Sequence, residues 1–497
     1  MKKQKEKTAI IDLGSNSVRL IIILIQKGRH YKLIEQEKEM VRLGENLYED
    51  NMLKEAAMER TMKTLGLFRD LIESHKAEKV ILTATAAVRN ADNRDVFLNR
   101  IKDEFNWNFQ VVSGEREAFL GYLGVINTIN EDSFLIADIG GGSTEISLIQ
   151  NRKLVESVSL NFGSVTLENK EIQLANKLEE ISWLKNPGLP LVGLGGTIRS
   201  FAKIFKRNTS YPIDKLHNLE ISYENSKKTI DIVTKKKSPE LYKVNGLDKS
   251  RVDIIVPGLK ILDSIIKTSK PEKLIISGNG LREGLFFEHL LKSKEEPVFK
   301  NVRKESIKNL MFNYDVNKKH AKNVIKISKE LFLCTSSLHN LDPINLEYLK
   351  YASSLHDIGI YIDYYSHHKH SGYLILNSGL DGFNHRELLI LSAISGKHRN
   401  KSYKINYSEY KNILQKNDIY LINILSLLLR IAENLDRREE GKITSLLKVE
   451  ESKNSITIAL ESKDDISLEI SAGMKSSGDF EKLLGKKLYL IKAETSS

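Results

Sequence analysis

The sequence predicts an α/β protein made of two similar halves, followed by a helical region and a small strand-rich tail. Two stretches indicate the two halves: IIDLGSNSVRLIII at residues 10–23 and FLIADIGGGSTEISLI at residues 134–149. Each is an apolar strand that ends in Asp, then a turn of small residues, then a second apolar strand. Long helical patterns dominate residues 305–438. Residues 443–495 return to the apolar–polar alternation that is typical of strands.

The predicted elements follow a similar order in both halves. The first half is expected to contain a hairpin at 8–25, a strand at 30–43, a helix at 53–74, a strand at 79–84, a helix at 93–105, a strand at 109–112 and a helix from Ser113 to about residue 129. The second half is expected to contain a hairpin at 134–149, a strand at 153–160, a helix at 164–185, a strand at 191–197 leading into a helix, and a strand, glycine turn and helix at 272–289. Such alternation of strands and helices argues for α/β layers.

The domain boundaries are placed where the composition changes. The charged, proline-containing stretch LKSKEEPVFKNVRK at 291–304 is the predicted linker. We therefore expect two α/β domains at 1–130 and 131–295, a helical domain at 305–440 and a small α/β domain at 441–497.

The composition predicts a globular protein without a membrane-spanning segment. Hydrophobic residues make up 41% of the chain, and the longest apolar run near the N-terminus, Leu20–Ile25, is much too short to cross a bilayer. A single cysteine excludes an internal disulfide framework and favours the cytoplasm as the location. The net charge of +11 permits an anionic substrate. Because lysine is abundant throughout the chain, this charge does not predict sequence-specific binding of nucleic acid.

The two turns have the residue types of an anion-binding backbone. Glycine and small hydroxyl residues let main-chain N–H groups converge without side chains in the way. Asp12 and Asp138 end the strands beside these turns, where a carboxylate can hold a metal ion directly or through water. One such turn is equally an ordinary hairpin turn, but the pair with Asp at the same offset indicates two turns facing one phosphate chain. A third glycine turn, LVGLGGT at 191–197, has the same character, and the trailing lysine of a P-loop is absent.

Five motifs in chain order resemble those of the exopolyphosphatase and guanosine pentaphosphate phosphohydrolase family: DLGSNSVRL, TAAVRNADN, SGEREAFLGYLG, DIGGGSTE and GLGGT. The resemblance covers residues 8–290, and the helical region resembles the HD-type domain appended to the long members of the family. It implies two ribonuclease-H-like domains of the actin-like, sugar-kinase-like ATPase superfamily that face a cleft. It also implies Mg²⁺ as the cofactor and a homodimer.

The resemblance assigns the catalytic base to Glu117. This residue matches the second glutamate of the family's SGxEEA pattern, whereas Arg116 stands in place of the first, a departure that bears on substrate contacts. Without the family, Glu117 reads as an ordinary glutamate in the first turn of a helix. Gly121 and Gly124 share its helix face and are expected to leave open space in front of the carboxylate.

The resemblance also indicates which groups hold the substrate and the metal. Arg89, rather than the nearby Arg94, is the implied cation on the terminal phosphoryl group, because a guanidinium binds phosphate through two N–H groups. The implied Mg²⁺ ligands are Asp12, Asp138 and Glu145, of which the last two lie seven residues apart and can approach one ion across the turn. The implied phosphate-binding residues are Gly14, Ser15, Asn16, Ser17, Gly140, Gly141, Gly142, Ser143, Thr144, Gly195 and Gly196.

Polar residues at the ends of three helices in the helical region form a candidate HD-type metal site: His320, His356, Asp357 and Asp436. Mixed nitrogen and oxygen ligands suit a transition metal or Mn²⁺. Each residue alone is more often structural, so the prediction depends on the complete set. His370 and His398 are candidates for a second metal position, with the alternative that HHKH is only a polar loop.

The sequence therefore predicts an Mg²⁺-dependent exopolyphosphatase that releases terminal orthophosphate processively from inorganic polyphosphate. The alternative within this class is removal of the 5′-terminal phosphate of guanosine pentaphosphate, and no residue separates the two. Phosphodiester hydrolysis by residues 305–438 is an alternative of another class. A nucleotide-sensing protein without turnover is a further alternative, which the presence of Glu117 and Asp138 disfavours.

Overall fold

A computed structural model describes residues 5–26, 29–167, 169–399, 403 and 406–493. The chain forms two compact units, residues 1–302 and 303–497, which we call the first unit and the second unit. Among the described residues, we find no helix with both the length and the apolar character needed to cross a membrane.

The first unit contains two sheets built on a common plan. The strands of the first sheet are β1 Lys5–Leu13, β2 Val18–Gln26, β3 His30–Glu39, β4 Lys79–Ala84 and β5 Gln110–Val111. The strands of the second sheet are β6 Phe134–Ile139, β7 Thr144–Gln150, β8 Lys153–Leu160, β9 Leu191–Leu194, β10 Leu219–Ser222 and β11 Lys273–Ile276. The strand orders are β3-β2-β1-β4-β5 and β10-β11-β9-β6-β7-β8. In each sheet, three antiparallel strands continue into two parallel ones, and this repetition confirms the predicted pair of actin-like halves.

Helices cover the faces of these sheets. They are α1 Leu47–Asp50, α2 Glu55–Ser74, α3 Ala86–Arg89, α4 Arg94–Phe105, α5 Gly114–Ile126, α6 Glu171–Glu180, α7 Gly195–Asn208, α8 Tyr223–Thr234, α9 Ser238–Leu241, α10 Val252–Ser269 and α11 Leu281–Leu290. Central strand β1 shows why its sequence is a continuous apolar run: Ile11 packs into one hydrophobic core and Ile10 into another on the opposite face. A strand covered on both sides does not need polar residues on alternate positions.

Two predicted elements of the second half differ from the structure. The helix expected at 164–185 is shorter, because residues before Glu171 serve the turn at 140–143: the N–H groups of Ser164 and Val165 donate to the carbonyl oxygens of Gly140 and Gly141 at 3.0 Å and 2.9 Å. The strand expected at 191–197 ends at Leu194, and a helix begins at the next residue.

The second unit begins as a helical domain, as the sequence predicts. Its helices are α12 Val302–Asn313, α13 Lys318–Cys334, α14 Ser336–His339, α15 Leu346–Leu355, α16 His367–Asn377, α17 His385–Lys397 and α18 Lys416–Leu435. The tail contributes β12 Ser445–Glu451, β13 Ser455–Glu461, α19 Ser467–Met474, α20 Ser477–Leu484 and β14 Lys487–Lys492, with its strands in the order β12-β13-β14. The predicted boundaries of the four domains stay predictions.

One predicted strand of the tail is a helix. DISLEISA alternates apolar and polar residues, yet most of it lies in α19. The buried positions are Ile466, Glu469 and Ala472, which have helical spacing, while Leu468 is half exposed. Glu469 is buried because both of its carboxylate oxygens accept hydrogen bonds from Arg438, at 2.7 Å and 2.6 Å. Because this inward-facing residue is an acid, the apolar residues of the stretch do not show the spacing of a helix.

Candidate active site

The two glycine turns that follow β1 and β6 have the same internal geometry. The N–H of Gly14 donates to the carbonyl oxygen of Ser17 at 3.2 Å, and the N–H of Gly140 donates to that of Ser143 at 3.0 Å. A Cβ atom at either glycine would lie 3.2 Å or 3.0 Å from the same carbonyl oxygen, so a side chain would crowd both turns. The two similar sequences therefore form two turns of the same structure.

Both turns line one cleft of the first unit, together with the start of α7. The predicted phosphate-binding residues that line it are Gly14, Ser15, Asn16, Ser17, Gly140, Gly141, Gly142, Ser143, Gly195 and Gly196. Within the described residues, the buried Nδ2 of Asn16 has no hydrogen-bond partner, so it can donate to an anion in the cleft. The structure does not bring Thr144 into the cleft lining; its hydroxyl donates to the carbonyl oxygen of Phe162 at 2.6 Å.

Glycine is required where α7 begins, because this helix end approaches other groups of the cleft closely. Gly195 has φ +90°, and a Cβ atom there would lie 2.8 Å from Oδ1 of Asp138. A Cβ atom at Gly196 would lie 2.6 Å from Nη1 of Arg251. The first N–H groups of a helix attract anions, so these glycines place an anion-binding helix end between a carboxylate and a guanidinium.

The two halves differ in the residue that lies opposite the aspartate near the end of the first strand of each hairpin. In the first hairpin Asp12 pairs with Arg19, and in the second Asp138 pairs with Glu145. Residues directly opposite each other on antiparallel strands project from the same face of the sheet. One half therefore places a base opposite its acid and the other places two acids opposite each other, of which Asp138 lines the cleft and Glu145 does not.

The carboxylates of the second hairpin fit a divalent cation. Burial raises the pKa of Asp138 to about 6, and burial together with the neighbouring charge of Asp138 raises the pKa of Glu145 to about 7. Burial also raises the pKa of Asp12 on the first hairpin. Carboxylates held away from water are stabilised by a cation, and their hard oxygen atoms are the ligands that Mg²⁺ prefers. Within the described residues, however, Asp12, Asp138 and Glu145 do not form a group whose ligand atoms all lie close together.

Glu117 lies in the first turn of α5, whose N-cap Ser113 accepts a hydrogen bond from the N–H of Arg116 at 3.2 Å. Oε2 of Glu117 accepts a hydrogen bond from Nη1 of Arg89 at 3.1 Å, and the same Nη1 donates to the carbonyl oxygen of Val112 at 2.8 Å. Arg89 thus holds Glu117 in place, and its contact with a phosphoryl group stays a prediction.

Burial raises the pKa of Glu117 well above the ordinary range, and the charge of Glu145 adds to the shift. The positive end of a helix lowers the pKa of a carboxyl in its first turn, so burial outweighs the helix here. A carboxyl whose pKa is raised in this way is a stronger base than an exposed glutamate.

Two neighbouring arginines face away from this chemistry. Arg94 is about half exposed, with its Nε 3.7 Å from Oδ1 of Asp95. Arg116 pairs with Glu288 at 2.6 Å. Neither lines the cleft.

The prediction that small residues leave open space in front of Glu117 is wrong at Gly124. A Cβ atom at Gly124 would lie 2.3 Å from the carbonyl oxygen of Gly280, and one at Gly284 would lie 1.9 Å from that of Leu120. A Cβ atom at Gly121 would lie 3.5 Å from a methyl group of Leu194. These glycines let α5 pack closely against its neighbours, and this packing positions Glu117.

Four arginines that the sequence analysis missed line the cleft: Arg19, Arg199, Arg251 and Arg282. Arg251 and Arg282 are 8% and 5% exposed, and Nε of Arg251 and Nη1 of Arg282 have no hydrogen-bond partner in the described residues. Burial and the neighbouring guanidinium groups lower the pKa of Arg199 to about 9. A signal was present, since Arg199 and Arg282 each come shortly after a glycine turn.

In the second unit, three of the four predicted HD residues come together. Nε2 of His320 lies 3.3 Å from Nε2 of His356, and Oδ2 of Asp357 lies 3.7 Å and 3.4 Å from these two atoms. Asp436 contacts the other side of the His320 ring, at 2.8 Å from Nδ1. Its predicted role as a direct metal ligand therefore stays a prediction.

The second predicted metal position contains a different histidine from the one expected. His398 does lie beside Asp357, with Nε2 3.4 Å from Oδ1. Its partner is His367, whose Nε2 lies 3.1 Å from the same oxygen and 3.3 Å from Nε2 of His398. His370 does not belong to the group of atoms that could share an ion. HHKH is not a polar loop but the first turn of α16.

Comparison with known proteins gives matches over both units. The Ppx/GppA phosphatase family model matches residues 21–293, and the model of Ppx/GppA phosphatase, domain III, matches residues 302–477. A guanosine-5′-triphosphate,3′-diphosphate pyrophosphatase of Pseudoalteromonas translucida (strain TAC 125) is 31% identical over 462 residues, which cover 89% of this chain and 90% of the relative.

Two solved structures resemble the chain over part of its length. The Aquifex aeolicus member of the Ppx/GppA protein family is 31% identical with a TM-score of 0.51, over 59% of this chain and 100% of that one. An exopolyphosphatase of Cytophaga hutchinsonii ATCC 33406 is 25% identical with a TM-score of 0.53, over 57% of this chain and 98% of that one. The family models cover most of both units, and the chain therefore belongs to the Ppx/GppA phosphatase family of hydrolases.

Proposed function

We propose that the first unit hydrolyses the terminal phosphoric anhydride bond of inorganic polyphosphate and releases orthophosphate. The observation that carries this proposal is one cleft that combines a buried, basic carboxylate with two glycine turns and four arginines. The carboxylate of Glu117 is the group that activates water, and the turns and guanidinium groups neutralise the phosphate chain.

In this mechanism Glu117 acts as the general base. It accepts a proton from a water molecule, whose oxygen forms a bond to the terminal phosphorus as the bond from that phosphorus to the bridging oxygen breaks. The bridging oxygen leaves with the shortened chain as a phosphate oxygen, and the proton on Glu117 passes to solvent. Arg89 orients Glu117 through their hydrogen bond of 3.1 Å.

The second-hairpin acids and Asp12 would hold Mg²⁺. This ion, when bound, neutralises charge on the phosphoryl oxygens. Asp138 and Glu145 lie opposite each other on adjacent strands, so their side chains project from the same face of the sheet.

The cleft lining favours an inorganic chain over a nucleotide as the substrate. Among the described residues that line the cleft, no side chain is aromatic, so the lining offers no ring on which a base could stack. Instead it presents four guanidinium groups, which suit a chain of identical anionic groups.

Guanosine pentaphosphate is the second candidate substrate. The Pseudoalteromonas translucida relative is named for a guanosine 5′-triphosphate 3′-diphosphate, and its similarity extends over nearly the whole chain. The bond to the last phosphoryl group of the 5′ chain of guanosine pentaphosphate is a phosphoric anhydride, as in polyphosphate. The mechanism proposed for polyphosphate therefore applies to it unchanged.

The test compares phosphate release from long inorganic polyphosphate, guanosine pentaphosphate and ATP under one set of conditions. We expect the highest kcat/KM for polyphosphate and the lowest for ATP. A higher kcat/KM for guanosine pentaphosphate would select the second candidate. Binding of either substrate without phosphate release would contradict hydrolysis and favour a sensing role.

The Mg²⁺ requirement should depend on pH. Because protons and Mg²⁺ compete for Asp138 and Glu145, whose pKa values are about 6 and about 7, less Mg²⁺ should be needed as pH rises. We expect the Mg²⁺ concentration for half-maximal activity to fall between about pH 6 and about pH 8 and then to level off. Asp138→Asn should raise that concentration at every pH.

The control is Glu156→Gln, which removes an exposed carboxylate from β8 of the same sheet. Its Mg²⁺ titration should match that of the wild type. An Mg²⁺ titration that is the same at both ends of the pH range, or unchanged by Asp138→Asn, would show that these acids do not hold the metal.

A further inference from the structure

The cleft of the first unit has an acidic end and a basic end. The guanidinium of Arg199 interacts electrostatically with the carboxylate of Asp138, one of the proposed metal ligands. Arg251 also lines the cleft, but its acidic neighbours are Asp248 and Asp253. Arg251 therefore marks the end of the cleft that lies away from the proposed metal ligands.

Two lysines continue this basic end beyond the cleft lining. We call them the exit lysines, Lys38 and Lys203. Lys38 lies opposite Arg19 in the register of β2 and β3, so the two side chains project from the same face of the sheet. Lys203 follows Arg199 by four residues on α7, so these side chains lie one turn apart on the same face of the helix. Since Arg19 and Arg199 line the cleft, each exit lysine extends a row of cations that begins inside it.

Electrostatic interactions show that these cations are neighbours. Partial burial and three guanidinium groups of the cleft lower the pKa of Lys38 to about 8. The three groups belong to Arg19, Arg251 and Arg199. Both exit lysines interact with the carboxylate of Asp248, so they lie on the same side of the cleft.

The charges of the exit lysines have no full counterpart in the protein. Within the part of the chain that the structure describes, neither ammonium group forms an ion pair or a hydrogen bond. Asp248 is the nearby acid, but its Oδ1 already accepts hydrogen bonds from the N–H and the hydroxyl of Ser250, at 2.9 Å and 2.7 Å. A group of cations held together without matching acids attracts an anion.

Close backbone packing holds this basic surface in place. Gly246 has φ +86°, and a Cβ atom there would lie 2.6 Å from the carbonyl oxygen of Lys203. At the start of α7, a Cβ atom at Gly196 would meet the guanidinium of Arg251. The segment from Gly246 to Arg251 is thus packed along α7 between the start of the helix and Lys203.

Given the proposed function, which places the terminal phosphoryl group at Glu117, we infer that the exit lysines bind the part of a polyphosphate chain that extends beyond the cleft. From Glu117 the chain runs past Arg199 and Arg251 and leaves the cleft beside Lys38 and Lys203. A short chain ends before it reaches the exit lysines. These residues therefore make the protein selective for long chains.

Lysine suits this position better than arginine. Guanidinium groups inside the cleft bind phosphate oxygens through fixed pairs of N–H groups. An ammonium group is a point charge on a flexible stem, so it can contact one phosphate after another. Exposed charge pairs are individually weak, and weak contacts hold the chain while they allow it to move inward after each cleavage.

Equilibrium binding of polyphosphates of defined length tests the exit lysines. Tripolyphosphate and a series of longer chains are titrated against wild type and Lys38→Met/Lys203→Met. For wild type we expect Kd to fall with chain length and then to level off. For the double variant we expect Kd to be unchanged for tripolyphosphate and about 5- to 20-fold higher for long chains, because each lost exposed contact is worth a few-fold.

Lys32→Met/Lys228→Met is the matched control, because it removes two exposed lysines that lie outside the cleft lining. Lys32 belongs to the same strand as Lys38, about 20 Å along it, and Lys228 belongs to α8. The control should bind chains of every length as wild type does, apart from a small effect of net charge. Neither double variant should lower the melting temperature, because all four side chains reach the surface.

Three results would overturn the role of the exit lysines: an unchanged Kd for long chains, an equal rise in Kd for tripolyphosphate and long chains, or an equal loss of long-chain binding in the control. Binding does not require turnover, so these results are distinct from a failure of the proposed hydrolysis. That failure would appear as absence of phosphate release by wild type at every chain length.

Discussion

Glu117→Gln is expected to lower kcat for phosphate release by about 10²- to 10⁴-fold, which is the usual contribution of a positioned general base. The amide preserves the size of the side chain and can still accept the hydrogen bond that Arg89 donates at 3.1 Å. Substrate affinity should stay the same or increase, because the substitution removes a negative charge from a cleft that binds an anion. Stopped assays of phosphate release and equilibrium binding of polyphosphate separate the two effects.

Glu115→Gln is the matched control for this substitution. Glu115 is exposed in the same first turn of α5 and differs from Glu117 in that it does not line the cleft. Its loss changes the net charge by the same amount and should leave kcat unchanged. Near-wild-type turnover of Glu117→Gln would remove this residue from the mechanism.

Arg199→Met should weaken polyphosphate binding by roughly 10- to 100-fold, the effect of one lost hydrogen bond to a charged group. The same substitution should raise the melting temperature of the protein without substrate. Burial and the nearby charges of Arg19 and Arg282 lower the pKa of Arg199 to about 9, which shows that the folded protein holds this charge at a cost. Removal of the charge relieves that repulsion, and methionine retains much of the side-chain volume.

Arg207→Met is the control, because Arg207 is exposed near the end of the same helix, α7. It should change neither the melting temperature nor the dissociation constant beyond the small effect of net charge. Differential scanning fluorimetry and polyphosphate titrations measure the two quantities. A lower melting temperature together with unchanged binding for Arg199→Met would mean that Arg199 supports the fold and does not hold substrate.

Local sequence patterns are sufficient to predict the two halves and their hairpins. Residues 10–23 and 134–149 encode strand, turn and strand through local periodicity and through glycines that only a tight turn requires. For the same reason the positions of Asp138 and Glu145 were foreseeable: a short turn between antiparallel strands dictates which residues lie opposite each other, and these two are partners in the register.

Which distant residues share the cleft is visible only in the folded chain. Arg19, Arg199, Arg251 and Arg282 come from four separate elements. Their convergence depends on how helices pack on the two sheets, and the local spacing of apolar residues does not indicate such packing. The same limit applies to Gly124, whose missing side chain makes room for the backbone at Gly280 and not for substrate.

The rotation of α16 about its own axis determines which of its histidines contacts Asp357. His367 and His370 lie in the same turn of α16, and the sequence does not indicate which of the two imidazoles faces inward. The packing of this helix places Nε2 of His367 3.1 Å from Oδ1 of Asp357. In the tail, likewise, the ion pair with Arg438 allows Glu469 to be buried. An acid at a buried position gives this helix a sequence that alternates like a strand. Local patterns thus determine elements and short turns, whereas long-range packing selects the side chains that meet, because the free energy of those contacts is gained only when the whole fold is in place.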